Sequence, residues 1–212
     1  MSPQKVREFF SRLAAANPEP KGELEYATPY QLLVAVVLSA QATDKGVNRA
    51  TRSLFRDHPT PQAIAALGEE ALAEYIQTIG LYNTKAKNVA ALSRLLLERH
   101  GGEVPHDRAA LEALPGVGRK TANVVLNIAF KEPTIAVDTL IFRFGNRTGL
   151  ARGKDVREVE AKLMKAVPAV FRQHAHHWLI LHGRYVCKAR KPECYRCLVA
   201  DLCDFRDKTP EP

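Results

Sequence analysis

LEALPGVGRKTANVVLN, Leu111 to Asn127, sets a proline and two glycines between two stretches whose apolar residues recur at helical spacing. Pro115, Gly116 and Gly118 make a turn that most side chains could not follow. The segment therefore reads as two helices joined by a tight hairpin. Glycine lets a neighbouring backbone approach closely, and the amides that open the second helix carry a partial positive charge suited to a phosphate. Spacing alone leaves a plain helix-to-helix turn open as well.

Outward from the hairpin, the same helical period dominates. Thr28-Pro29 precedes QLLVAVVLS, Thr60-Pro61 precedes QAIAAL, and Asp107 precedes RAALEAL, each a hydroxyl or carboxylate placed to cap a helix. Val6 to Ala16, Val47 to Arg56, Thr84 to Arg99, Lys120 to Phe130, Thr139 to Arg147 and Val156 to Ala166 repeat the pattern. About ten helices are expected. The best strand-like stretch, Thr134 to Val137, is too brief to build a sheet, so the predicted class is all-α. Breaks fall at Asn17 to Gly22, Gly101-Gly102, Lys131 to Pro133 and Ala151 to Lys154.

With 212 residues and 46% hydrophobic content, the chain can bury a sizeable core. Thirty-one Lys and Arg against 23 Asp and Glu leave a formal charge of +8, which favours a polyanionic partner such as nucleic acid. MSPQKVREFF lacks the apolar stretch of a secretory signal, and the apolar run Leu32 to Leu38 is far shorter than the roughly 20 residues of a spanning helix. These features lead us to expect a cytoplasmic protein with no membrane association; a monomer is expected as well. Cys187, Cys194, Cys197 and Cys203 read C-x6-C-x2-C-x5-C. In a reducing compartment that clustering favours a metal centre over disulfides, and four thiolates suit either a tetrahedral zinc or an iron-sulfur cluster.

LEALPGVGRKTANVVLN resembles the helix-hairpin-helix of the endonuclease III family of DNA glycosylases. LSAQATD (Leu38 to Asp44), IGLYNTKA (Ile79 to Ala86), AVDT (Ala136 to Thr139) and HHWLILHGRYVC (His176 to Cys187) carry the likeness across most of the chain. The resemblance implies two helical domains with a DNA cleft between them. One is continuous over about 22–132 and holds the hairpin at about 107–130; the other joins 1–21 to 133–212 and carries a [4Fe-4S] cluster loop at 187–203. It further implies base-excision repair of duplex DNA bearing a damaged base or an abasic site: release of oxidised pyrimidines, then strand cleavage by β-elimination. A monofunctional adenine glycosylase and a non-catalytic iron-sulfur redox sensor that binds DNA are the alternatives.

On this resemblance Lys120 is the nucleophile, forming a Schiff base with the sugar, although an isolated lysine beside a hairpin could equally be a phosphate contact. Asp138, in Val137-Asp138-Thr139, is its acid-base or electrostatic partner, while the bare sequence also allows a helix cap. Many family members have histidine where this chain has Leu140, so any contact made by that imidazole is missing. Gln41 is expected to fill the gap left by an extruded base, with Ile79 and Leu81 wedging the opposite strand. Gly116, Val117, Gly118 and Arg119 are the expected hairpin contacts to DNA, and Lys191 the one in the cysteine loop. Cys187, Cys194, Cys197 and Cys203 are the implied cluster ligands. His174, His176, His177 and His182 show no ligand spacing and read as structural.

Overall fold

The computed structural model describes residues 1–211, and among them it contains eleven α-helices, two short 3-10 turns and no strand. In order they are α1 (Pro3–Ala16), α2 (Pro29–Leu38), α3 (Asp44–Asp57), α4 (Pro61–Leu67), α5 (Glu69–Ile76), α6 (Tyr82–His100), α7 (Arg108–Glu112), α8 (Arg119–Phe130), α9 (Thr139–Thr148), α10 (Val156–Ala166) and α11 (Ala169–Tyr185). None of the described helices is long and apolar enough to cross a membrane. The start signals act as read: Thr28, Thr60 and Asp107 accept from the amides of Gln31, Ala63 and Ala110. Ser2, Thr43, Asp138 and Asp155 cap α1, α3, α9 and α10 in the same way. Each such cap contributes about 1 kcal/mol.

Three of the described helices start without a capping side chain, α6 after Leu81 at φ 60° among them. α5 follows Gly68, at φ 82° and with no side-chain cap, and α11 follows Pro168, also without one. Thr134 to Val137 is buried and forms no strand.

The chain divides into two compact units, a central one at Glu23–Phe130 and a terminal one made of Met1–Gly22 and Lys131–Pro212. The central unit is built around α2, whose residues Tyr30 to Leu38 are all buried, as a helix apolar nearly all round must be. α8 packs on α2 through Ala122, Val125 and Leu126, and Leu111, Leu114 and Val117 bring α7 and the hairpin into the same apolar core. The terminal unit has its own core, in which Phe9 and Phe10 of α1 meet Phe144 of α9 and Trp178 of α11. Cys187 is buried in that core and Cys197 packs against it.

Candidate active site and cysteine centre

The hairpin holds the first half of the candidate site. Leu114 O accepts from the Val117 amide at 3.1 Å, closing the turn, and Gly116 sits at φ 77°, where a side chain is strained. A Cβ on Gly116 would also fall 3.0 Å from Asn88 Cβ of α6, so the hairpin is seated directly on that helix. At Gly118 a Cβ would meet nothing within 4 Å, leaving the approach to the start of α8 open. Arg119 and Lys120 form the first turn of α8, and both are exposed. Val117, expected among the DNA contacts, has a buried side chain and an amide bonded to Leu114 O. Its place is inside the hairpin, fixing the turn.

Gln41 and Leu81 lie in the same unit, both exposed and both in left-handed backbone, at φ 54° and 60°. A non-glycine residue held there is strained, a condition found where a side chain must be presented for use. The two segments adjoin: a Cβ on Gly46, in the first turn of α3, would lie 3.9 Å from Ile79 Cγ2. Ile79 is placed differently from Leu81. It is 4% exposed and belongs to the apolar core of the central unit, so it anchors the turn from beneath while Leu81, 59% exposed, is the residue presented.

Asp138 lies in the terminal unit, half-buried, at the N-cap of α9. Its Oδ1 accepts from the Ile141 amide at 2.9 Å, which fixes the carboxylate's orientation. His176 steadies the segment before it, with Nδ1 3.1 Å from Ala136 O. Leu140 is half-buried, and a Cβ on Gly183 of α11 would fall 3.5 Å from Leu140 Cβ.

The four cysteines, none in a disulfide, line one pocket of about 350 Å³, open mouth included. Among the described residues no three His, Cys, Asp or Glu side chains group tightly enough for a single metal ion. Four thiols around a shared pocket are a donor set for one zinc or for an iron-sulfur cluster. Donors ring the sulfurs: His182 Nε2 is 3.2 Å from Cys197 Sγ, Arg147 Nη1 3.5 Å from Cys187 Sγ, and the Phe205 amide 3.4 Å from Cys203 Sγ. Burial pushes the Cys197 thiol up to about 11 and raises Cys203 as well, so these sulfurs ionise only beside a compensating cation. Burial, with a smaller effect from Arg196, pushes His182 down to about 4, leaving a neutral ring able to donate to sulfur.

Sequence reading missed Arg143, Arg147 and His182 as neighbours of this centre. Arg143 Nη2 donates to Gly183 O and Cys187 O, at 2.7 and 2.9 Å. Arg147 donates to Lys188 O and Ala189 O, at 2.6 and 3.1 Å, and lies over the Phe205 ring. The i, i+4 arginine spacing was the available signal, since it puts both guanidinium groups on one face of α9. Lys191 is exposed at φ 49°.

Residues 34–169 match the model of the HhH-GPD superfamily base excision DNA repair protein. The chain belongs to the endonuclease III family within it, DNA glycosylases and abasic-site lyases of base excision repair. It is 60% identical over 208 residues to endonuclease III of Haemophilus influenzae, covering 98% of this chain and 99% of that protein. Endonuclease III of Escherichia coli strain K12 is 59% identical with the same coverage. The solved structure of a trapped endonuclease III-DNA covalent intermediate matches with a TM-score of 0.90 and 45% identity, over 96% of each chain. A non-covalent endonuclease III-DNA complex matches equally well.

Proposed function

We propose that Lys120 is the nucleophile and Asp138 its partner in releasing oxidised pyrimidines from duplex DNA and then cutting the strand. The observation that carries this is the placement of Lys120: exposed on the first turn of α8, behind a hairpin whose Gly118 leaves the approach open. The amine attacks C1′ of the deoxyribose, and the base leaves with the electron pair of the glycosidic bond. Asp138, its carboxylate held by Ile141, stabilises the positive charge developing on the sugar and takes a proton from the attacking nitrogen. Ring opening gives an imine, and loss of a C2′ proton then expels the 3′ phosphate. The extruded nucleotide leaves a gap in the stack, which Gln41 fills while Leu81 wedges the facing strand. Arg119 and the backbone at Gly116 and Gly118 hold phosphate, and Lys191 adds a contact from the cysteine loop.

Cys187, Cys194, Cys197 and Cys203 would hold a [4Fe-4S] cluster, which when bound cross-links the 187–203 loop into the terminal core. The reading is tested with duplexes carrying thymine glycol or an abasic site, treated with borohydride. Wild type should give a covalent adduct with both, and Lys120→Ala with neither. An adduct surviving in Lys120→Ala would remove the lysine from the mechanism. Cleavage confined to adenine opposite oxidised guanine would replace the lesion class.

A further inference from the structure

A groove in the terminal unit is lined by none of the residues assigned to the chemistry or to the cysteine centre. The start of α1, the turn 149–152 that follows α9, the second half of α10 and Asp204 enclose about 1150 Å³, open mouth included. Space of that size takes several side chains of a partner. Val6, Leu150 and Ala151 reach it from the apolar core, with Ala166 of α10 beside them. Asp204 is fixed at its border: the Asp204 amide donates to Thr148 O at 3.0 Å, and a Cβ on Gly149 would collide with the Asp204 carboxylate.

Charge in the groove is one-sided. Arg152, Lys162 and Lys165 line it against one carboxylate, Asp204. That carboxylate is already paired with Arg152 at 3.2 Å, and Lys162 pairs with Glu158 at 2.6 Å while donating to Arg152 O. Lys165, exposed, has no ion-pair or hydrogen-bond partner among the described residues. An anion from outside therefore meets uncompensated positive charge beside apolar side chains. Spacing narrows the choice. Lys162 and Lys165 stand i, i+3 on α10, roughly 5–6 Å apart at Cβ. Alternate residues of an extended peptide project to one side roughly 6–7 Å apart, and those between them project to the other. Phosphates alone would use the cations and leave the apolar side chains bare.

We propose that this groove docks an extended acidic segment of a partner protein, in which carboxylates alternate with apolar side chains. The carboxylates meet Lys162 and Lys165, and the side chains between them turn toward Val6, Leu150 and Ala151. The site is independent of the Lys120 chemistry, and it gives a base-excision chain a tether to another protein.

The test measures fluorescence anisotropy of a short labelled peptide alternating aspartate with leucine, and of an aspartate–serine peptide of equal length and charge, against the full cluster-loaded protein. The aspartate–leucine peptide should bind more tightly. Lys165→Glu should weaken it by about fivefold or more, because attraction becomes repulsion at the one unpaired cation. Asp204→Asn keeps the backbone bond to Thr148 and frees Arg152, so it should tighten binding, a gain that damage to the fold would not produce. Arg94→Glu, the same change of charge on an exposed position of α6 in the central unit, should leave binding unchanged, and Lys165→Glu should cleave an abasic duplex as wild type does. Equal peptide affinity in wild type and Lys165→Glu would overturn the site, as would weaker binding in Asp204→Asn. Equal affinity for the two peptides, or an equal loss in Arg94→Glu, would reduce the groove to bulk positive charge and overturn it too. Binding of oligo(dT) that falls in Lys165→Glu as the peptide's does would replace the protein partner with nucleic acid.

Discussion

At Asp138 the proposed function asks one carboxylate to serve both the helix and the chemistry, and substitution can separate the two. Asparagine caps as well as aspartate, so Asp138→Asn should keep the bond to Ile141 and the stability while losing the charge. Trapped-adduct formation should then fall by about 100-fold or more, the scale of removing one electrostatic or acid-base group. Asp138→Ala should lose as much activity and, in addition, about 1 kcal/mol in urea unfolding. Equal activity in Asp138→Asn and wild type would reduce the residue to a cap. Leu81 and Lys131 pose a matching contrast, both held at φ 60°. Glycine at 131 relieves the strain at the end of α8 and should stabilise the protein by about 0.5–1 kcal/mol with activity intact. Glycine at 81 should relieve the same strain yet depress base release, because Leu81 is the presented side chain. His177 offers a pH signature: burial, with help from His174 and Lys131, holds its imidazole down to about 4 from an ordinary 6.5. The unfolded chain takes up a proton below pH 6.5, whereas the folded chain resists until about 4, so stability falls as pH drops through that window. Unfolding at pH 5 should cost about 2 kcal/mol less than at pH 7 from this group alone, and His177→Gln should flatten that part of the profile.

α9 shows how one helix can serve two sites. Its N-terminus bears Asp138, and its body carries Arg143 and Arg147, which grip the chain from Gly183 to Ala189 around the first cysteine. Arg147→Ala removes two backbone anchors, a donor to Cys187 Sγ and the contact with Phe205. The 187–203 loop should then release iron to a chelator faster than wild type, while far-ultraviolet circular dichroism shows α9 itself intact. An unchanged release rate would mean that the cysteines alone hold the loop. Only the shared face of the two arginines was legible in sequence; their partners were not, because Arg147 and Lys188 are far apart in the chain and meet only when α9 packs against α11. The hairpin was legible because a proline and two glycines permit few conformations, and α2 because it is apolar all round. α5 escaped because EEALAEYI spans about two turns behind a glycine that offers no capping side chain. Ile79 and Leu81 were read alike for a related reason: two apolar residues flanking Gly80 look the same until the fold buries one and exposes the other.

The two units have separate apolar cores, and that separation governs what loss of the cysteine centre does to the molecule. The core of the central unit, from Tyr30 to Leu126, contains no cysteine, and its helices α2 to α8 cap and pack among themselves. The core of the terminal unit includes Cys187 and, at its edge, Cys197, while the 198–201 chain is tied to α1 by Arg12 through Leu198 O and Asp201. Breaking the cross-link should therefore loosen α1 and α9 to α11, including the segment that carries Asp138, and leave the hairpin and Lys120 in place. Amide hydrogen exchange on Cys203→Ser would report this directly, since protection follows local opening and not only global unfolding. Protection in α2 to α8 should stay close to wild type, with exchange accelerating in α1 and α9 to α11. An abasic duplex should still reach the hairpin of this variant, but the trapped adduct should form more slowly for want of a fixed carboxylate. Parallel loss of protection in both sets of helices would instead make the chain one cooperative unit, with the cysteines sustaining the hairpin as much as their own loop.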